Sequence, residues 1–283
     1  MLAVSGASPD AYERHVGRYA KELSAGLIRV AGVRAGQSAL DVGCGPGGLA
    51  VALAGLLGDE NVAAVDPSER FVEVCRSRIP GADVRIGVAE NLPFDDASFD
   101  AVLAQLVVQD IVDARNGVAE MRRVARPGGV VSGCVWDFET GMPLLRAAWD
   151  AALAIDAELA RSLGADRRLP FSRPDELDEL WRSTELEEVE VGKISAGADY
   201  ADLDDLWFPF AAGVGGVGRF VQSLDGDARA RMKAQIGNNL GNPKGTFRLV
   251  ADAWYVRGRV SSQPATQTST TLAADWASPA RGC

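Results

Sequence analysis

The sequence has few of the residues that build metal sites and disulfide frameworks. It contains one histidine, His15, and four cysteines, and no two of these form a CxxC pair. A structural zinc site needs four Cys or His ligands at characteristic spacings. We therefore predict neither a structural metal nor a disulfide framework. The four cysteines are Cys44, Cys75, Cys134 and Cys283.

Positive charge and long apolar runs are also scarce. There are 29 Lys and Arg residues against 39 Asp and Glu, for a formal net charge of −10. Such a chain lacks the charge that drives binding to the phosphates of nucleic acids or to anionic membranes. No stretch reaches the roughly 18 to 20 apolar residues of a membrane-spanning helix, and the N-terminus lacks a basic segment followed by an apolar run. We expect a cytoplasmic protein that binds no nucleic acid and does not insert into a membrane.

What the sequence does contain is the composition of a globular domain. Its 283 residues are 47% hydrophobic and 24% charged, enough for one enlarged α/β unit. Short β-branched runs alternate with helical stretches between residues 38 and 136, a pattern typical of consecutive βαβ units. Strands are predicted at Ser38 to Val42, Val62 to Val65, Asp83 to Val88, Phe99 to Gln105 and Val130 to Trp136, with helices beginning near Gly47, Glu69 and Asp113.

The second half of the chain follows a different pattern. Pro143 to Leu163 is predicted as one helix, and a proline in the first turn opens another at Pro174. Strands are predicted at Leu186 to Ile194 and Thr246 to Val260, the latter beside the strands beginning at 130 and 186. The predicted organisation is a helical lid (1–23), a cofactor-binding core (24–138), a helical cap insertion (139–173), a core helix and strand (174–194), a second cap insertion (195–245), a last core strand (246–260) and a disordered tail (261–283).

The segment ALDVGCGPGG, Ala39 to Gly48, is predicted to be a strand that ends in a glycine-rich turn and opens a helix. Gly43, Gly45 and Gly48 satisfy GxGxxG, and Asp66 follows Gly45 at the spacing of a ribose-binding acid. The loop therefore predicts a nucleotide-type cofactor.

Dinucleotides and S-adenosylmethionine both fit this loop, and Asp41 distinguishes them. A pyrophosphate there would meet a like charge, whereas the ammonium and sulfonium of S-adenosylmethionine are attracted to a carboxylate. Asp41 therefore favours S-adenosylmethionine. An NAD(P)-dependent oxidoreductase and a non-catalytic ligand-binding protein on the same fold remain the alternatives.

With these motifs the chain resembles the class I S-adenosylmethionine-dependent methyltransferases, in the type-11 group related to ubiquinone and menaquinone biosynthesis methyltransferases. The resemblance covers residues 36–136 and implies a Rossmann-like α/β fold, with a seven-stranded, mainly parallel sheet, an antiparallel last strand and helical caps. It rests on ALDVGCGPGG, VAAVDPS at Val62 to Ser68, GVAENLPFDDASFD at Gly87 to Asp100, and RPGG at Arg126 to Gly129.

The resemblance also implies roles for individual residues around the cofactor. Val88 stands where relatives usually carry Asp or Asn, which leaves the backbone of the next two residues to bind the adenine edge. The implied sites are Asp41, Gly43, Cys44 and Gly45 at the methionine part, Asp66 at the ribose, Pro67 and Ser68 beside the adenine, Ala89 and Glu90 at its edge, and Gln105 near the methionine or the transferred methyl.

Residues outside the cofactor loop are candidates for the acceptor side, and each also has a simpler structural interpretation. An N-terminal helix can fold over the cofactor, so His15 is a candidate base, although it equally fits helix packing. Asp110 also fits a helix cap, and the aromatic residues fit a core. The candidates are His15, Gln109 and Asp110 for catalysis, Tyr12 and Arg18 for the cofactor, and Trp136, Trp207 and Phe210 for an acceptor pocket.

The sequence thus predicts methyl transfer to a small apolar or aromatic acceptor by in-line displacement, with rate gained from alignment in a dry pocket. A monomer or homodimer is expected.

Overall fold

A computed structural model describes residues 13–262, and these residues form a seven-stranded sheet flanked by helices on both faces. The strand order is β3-β2-β1-β4-β5-β7-β6. The strands are β1 (Ala39–Val42), β2 (Val62–Asp66), β3 (Asp83–Ile86), β4 (Phe99–Gln105), β5 (Ala125–Trp136), β6 (Glu187–Tyr200) and β7 (Phe247–Arg259).

The first five strands are parallel, and β7 runs antiparallel to both of its neighbours, β5 and β6. The predicted sheet and its antiparallel last strand are therefore confirmed. The strand order reverses between β1 and β4. In open α/β sheets ligands bind at such a reversal, beyond the carboxyl ends of the strands. A ligand site is therefore expected beyond the carboxyl ends of β1 and β4.

Helices cover the two faces of the sheet. The helices α1, α2 and α3 and the cap helices bury one face, while α4 and α7 bury the other around Val118 and Trp181. The helices are α1 (Arg18–Ala31), α2 (Gly48–Leu57), α3 (Glu69–Arg78), α4 (Ala114–Val124), α5 (Pro143–Ile155), α6 (Ala157–Ser162), α7 (Pro174–Arg182), α8 (Leu203–Ala211), α9 (Gly215–Ser223) and α10 (Gly226–Asn239).

Most of these helix starts carry recognisable signals. The side chain of Ser68 accepts from the amide of Phe71, and that of Asp113 accepts from the amide of Asn116. Each satisfies an N–H group that has no partner within its helix. The predicted beginnings of α3 and α4 are confirmed.

Several boundaries differ from the sequence prediction: β5 begins at Ala125 instead of Val130, and β3 ends at Ile86 instead of Val88. The single helix predicted from Pro143 to Leu163 is broken at Asp156, whose side chain caps α6 by accepting from the amide of Leu159. The strand predicted to end at Ile194 continues to Tyr200, because β7 supplies a pairing partner along its whole length. Residues 195–200, which the prediction placed in the cap, therefore lie in the sheet.

Within residues 13–262, no helix is both long and apolar enough to cross a membrane.

Candidate cofactor site

The glycine loop after β1 is held by backbone bonds and by unusual backbone angles. The amides of Gly43 and Cys44 both donate to the carbonyl of Val65, at 2.8 and 3.0 Å. Gly43, Gly45 and Gly47 have positive φ angles of 71°, 52° and 95°, a region that other residues enter at a cost. The predicted tight turn is therefore confirmed.

Gly43, the first glycine of the motif, also permits a close approach between two loops. A Cβ added at Gly43 would lie 2.4 Å from Cγ2 of Val107, in the loop that follows β4. The turn after β1 and the turn after β4 thus touch at the strand-order reversal.

Asp66 organises the loop from the end of β2. One carboxylate oxygen accepts from the amide of Gly45 at 2.9 Å, and the other accepts from the amide of Ser68 at 2.8 Å. The residue is 7% exposed. The sequence predicts only a ribose contact for Asp66, and these two bonds show that it also fixes the glycine loop and the turn into α3. Pro67 lies in that same turn.

Asp41 is a buried carboxylate without hydrogen-bond donors of good geometry. It is 1% exposed, and neither oxygen accepts a hydrogen bond from the residues that the structure describes. Burial raises its pKa to about 7; the backbone N–H of Ala50 opposes the rise, and the nearby charge of Asp66 adds to it. A buried carboxylate normally has partners, because leaving it unpaired costs free energy. Asp41 therefore fits a cationic ligand.

Gly45 offers the room that such a ligand needs. A Cβ added there would meet no atom within 4 Å, although the backbone is in the left-handed region. We expect Gly45→Ala to lower the free energy of unfolding by about 1 kcal/mol through backbone strain, and to weaken cofactor binding by a larger factor because the methyl group fills the cradle.

Gly32→Ala is the matched control for this prediction. Gly32 caps the end of α1 with a φ of 71°, and a Cβ there also meets nothing within 4 Å. The strain is the same but the position is remote from the loop. Equal losses of cofactor affinity in the two variants, measured by titration calorimetry, would contradict a ligand cradle at Gly45.

Cys44 points its thiol away from solvent, at 6% exposure. A hydrogen bond with the thiol of Cys75 is the first of several effects that raise its pKa above the ordinary cysteine value, burial being the second. A thiol held protonated is a poor nucleophile, which agrees with the assignment of Cys44 to the loop and not to covalent chemistry.

The segment that contains Ala89 and Glu90, assigned to the adenine edge, is hydrogen-bonded to the start of α4. One carboxylate oxygen of Glu90 accepts from the amides of Val112 and Asp113, at 3.0 and 3.3 Å, and Asn116 donates to the Glu90 carbonyl. The Glu90 side chain thus has a structural role that the sequence did not reveal. Val88, next to Ala89, is 44% exposed.

Gln105 ends β4 and is held by the N-terminal helix. The buried hydroxyl of Ser24, in α1, donates to its Oε1 at 2.9 Å. This contact joins helix α1 to the end of β4.

Arg18 already pairs with a carboxylate of this chain. Its guanidinium binds both oxygens of Asp205 in α8, donates to the carbonyl of Asp199 at 2.8 Å and lies 4.8 Å from the ring centroid of Tyr200. It fastens the lid to the cap, and its predicted contact with the cofactor stays a prediction. Tyr12 lies outside the described residues.

Aromatic side chains from the lid, the sheet and the cap lie together. His15 meets Phe210 edge to face at 5.3 Å between ring centroids, and Phe210 lies 6.4 Å from Trp207. One helical turn later, Tyr19 meets Trp136 at 5.6 Å. Trp136 and Phe210 are 5% and 0% exposed. Of the three residues assigned to an acceptor pocket, Phe210 and Trp207 thus lie with His15, and Trp136 lies with Tyr19.

Burial lowers the pKa of His15 to about 4. The unfolded chain binds a proton near pH 6.5, where the folded chain does not, so folding stability falls as the pH drops below 6.5. Between pH 7 and pH 5 we expect a loss of about 2 kcal/mol from this residue. His15→Phe should abolish that part of the pH dependence, as measured by urea unfolding at both pH values. An unchanged pH dependence would show that His15 is not buried as described.

The loop after β4 has an unusual backbone angle at Leu106, a non-glycine residue with a φ of 59°. The Leu106 carbonyl accepts from Nε2 of Gln109 at 2.6 Å, and the same Nε2 donates to Asp110 at 3.2 Å. The cap of α4 is Asp113, so the helix-cap alternative for Asp110 is wrong. Both predicted acceptor-side residues lie in the loop whose Val107 touches the glycine loop.

Comparison with known proteins agrees with this geometry. Residues 40–132 match the methyltransferase domain family. A demethylmenaquinone methyltransferase of Clavibacter sepedonicus is 34% identical over 168 residues, which cover 56% of this chain and 67% of that protein. A phthiotriol/phenolphthiotriol dimycocerosates methyltransferase of Mycobacterium tuberculosis is 36% identical over 48% of this chain, and the match spans 57% of its length.

A solved structure extends the likeness over most of the chain. A putative type II methyltransferase from Anaeromyxobacter dehalogenans superposes with a TM-score of 0.59 at 25% identity, covering 87% of this chain and 98% of that one. From the glycine loop, the sheet order and these relatives together, the chain belongs to the class I S-adenosylmethionine-dependent methyltransferases of the type-11 group.

Proposed function

We propose that this protein transfers a methyl group from S-adenosylmethionine to a small apolar or aromatic acceptor by in-line displacement. The observation that carries the proposal is Asp41, a buried carboxylate without a partner of good geometry at the strand-order reversal. A negative group in that place favours a cationic cofactor over a pyrophosphate.

The protein residues bind and orient while the cofactor supplies an electrophilic methyl group on a positively charged sulfur. Asp41 attracts the cationic methionine part, and the loop held by Asp66 leaves room for it at Gly45. Asp66 also serves the ribose hydroxyls. Alignment of two reactants in a site that excludes water accounts for a large part of the rate in such a transfer.

The aromatic set formed by His15, Tyr19, Trp136, Trp207 and Phe210 supports the apolar acceptor. Those rings come from the lid, the end of β5 and helix α8, so closing the lid over the sheet removes water from the acceptor. Apolar walls with few polar groups are typical of sites for small apolar ligands.

The test is the formation of S-adenosylhomocysteine by the purified protein with a panel of acceptors. The panel pairs each aromatic or apolar alcohol, phenol and amine with a charged, polar counterpart that bears the same nucleophile. We expect turnover with members of the apolar set, and a raised KM for them in Trp207→Ala. Cofactor binding without turnover of any acceptor would favour the non-catalytic binding protein, and turnover of the polar set alone would contradict the apolar acceptor.

A further inference from the structure

The side-chain oxygen of Gln109 is a buried hydrogen-bond acceptor that receives nothing. Oε1 is shielded from solvent and accepts no hydrogen bond from the described residues. The other end of the same amide is fully engaged, since Nε2 donates both to the Leu106 carbonyl and to Asp110. A buried acceptor left without a donor carries a free-energy penalty, which a ligand donor would remove.

The orientation of this amide is fixed by a strained backbone. Leu106 adopts a φ of 59° directly after β4, and its amide donates to the carbonyl of Cys134 in β5 at 2.9 Å. A non-glycine residue in this conformation is strained, and such residues occur preferentially at functional sites. Here it directs the Leu106 carbonyl at Nε2 of Gln109, which leaves Oε1 as the free end.

The position of this oxygen relates it to the reacting centre. The loop that carries Gln109 touches the glycine loop through Val107 and Gly43, and it is bonded to the end of β5, the strand that ends in Trp136. The loop that carries Gln109 therefore contacts both the glycine loop after β1 and the strand that ends in Trp136. It lies at the strand-order reversal, where ligands of open α/β sheets bind.

We propose that Oε1 of Gln109 accepts a hydrogen bond from the nucleophilic atom of the methyl acceptor, and that the acceptor is therefore a hydroxyl or amine compound that carries a proton on that atom. The inference rests on the proposed methyl transfer. The lone pair of the oxygen or nitrogen forms the bond to the methyl carbon, and the carbon–sulfur bond breaks with its electron pair remaining on sulfur. An amide oxygen is too weak a base to keep the acceptor's proton, so the proton passes to water. Gln109 thus orients the lone pair and does not act as the base.

Sinefungin tests this role without knowledge of the acceptor. In this analogue a carbon bearing an amino group replaces the methylsulfonium, so an N–H donor stands at the reacting centre, whereas S-adenosylhomocysteine has no group there. We expect Gln109→Leu to reduce the preference of the protein for sinefungin over S-adenosylhomocysteine about tenfold, because a hydrogen bond to a charged donor is lost.

Asp66→Ala is the control, since Asp66 holds the glycine loop and is assigned to the ribose, which both ligands contain. It should weaken both ligands by the same factor. An unchanged sinefungin preference in Gln109→Leu would overturn the inference, as would equal weakening of both ligands in that variant. Failure of the wild-type protein to bind either ligand would instead overturn the proposed function.

Discussion

Replacing Asp41 with asparagine is expected to raise the free energy of unfolding of the ligand-free protein at pH 8 and, at the same time, to weaken its binding of S-adenosylmethionine. The unfolded carboxyl ionises near its ordinary pKa of 3.8, but burial raises the folded pKa to about 7. Each unit of difference corresponds to 1.36 kcal/mol, so the gain on removing the charge is on the order of 2 to 4 kcal/mol. A residue that destabilises the fold and strengthens binding is one retained for its ligand.

The pH dependence of this effect has a definite sign. Below the unfolded pKa the carboxyl of Asp41 is neutral in both states and does not oppose folding. As the pH rises from about 4 through about 7, the unfolded carboxyl ionises more readily than the buried one, so the free energy of unfolding falls. The difference between Asp41→Asn and the wild-type protein should therefore grow over that interval and level off above it. Urea unfolding at pH 5, 7 and 8 measures it, together with calorimetric titration of the cofactor.

Asp137→Asn provides the opposite case. Asp137 is also buried, but Lys193 and Thr140 bind its carboxylate and lower its pKa in spite of desolvation. This carboxylate supports folding above its unfolded pKa, and the support is lost as the pH falls through the folded pKa. Its amide variant should lose stability at pH 8. Destabilisation by Asp41→Asn at that pH, or unchanged cofactor affinity, would contradict the role given to Asp41.

Asp66→Ala is expected to have the second large effect, a fall of about 100-fold or more in affinity for S-adenosylmethionine. The substitution removes the proposed ribose contact. It also leaves the amides of Gly45 and Ser68 without their acceptor. An amide left unbonded costs about 1 to 3 kcal/mol. Loss of loop order therefore adds to loss of the contact.

Asp100→Ala separates loss of stability from loss of binding. Asp100 also accepts a backbone bond, from the amide of Ser38 at 2.8 Å, but it lies near the opposite end of β4. Both variants should lower the melting temperature, while only Asp66→Ala should impair binding in isothermal titration. A similar loss of affinity in the two variants would show that the effect of Asp66 is general destabilisation.

The sequence predicted those parts of the site that depend on neighbouring residues. The strand, the glycine turn and the helix after it are encoded within ALDVGCGPGG, so β1 and the start of α2 agree with the prediction. The acid at the end of β2 was predicted from its spacing to Gly45.

Contacts between distant segments could not be predicted in the same way. Tyr19 and Tyr200 lie 181 positions apart and bring their hydroxyls to 3.2 Å, and Ser24 reaches Gln105 across 81 positions. The left-handed backbone at Leu106 also lacks a local signal, since leucine has no preference for that region. The free oxygen of Gln109 depends on that backbone, and only the structure reveals it.

The most direct test of the account is isothermal titration of the wild-type protein with S-adenosylmethionine, S-adenosylhomocysteine, NAD and NADP in parallel. A cofactor site built around the buried carboxylate of Asp41 predicts heat from the two sulfur compounds and none from the two dinucleotides. Binding of a dinucleotide without binding of either sulfur compound would contradict it.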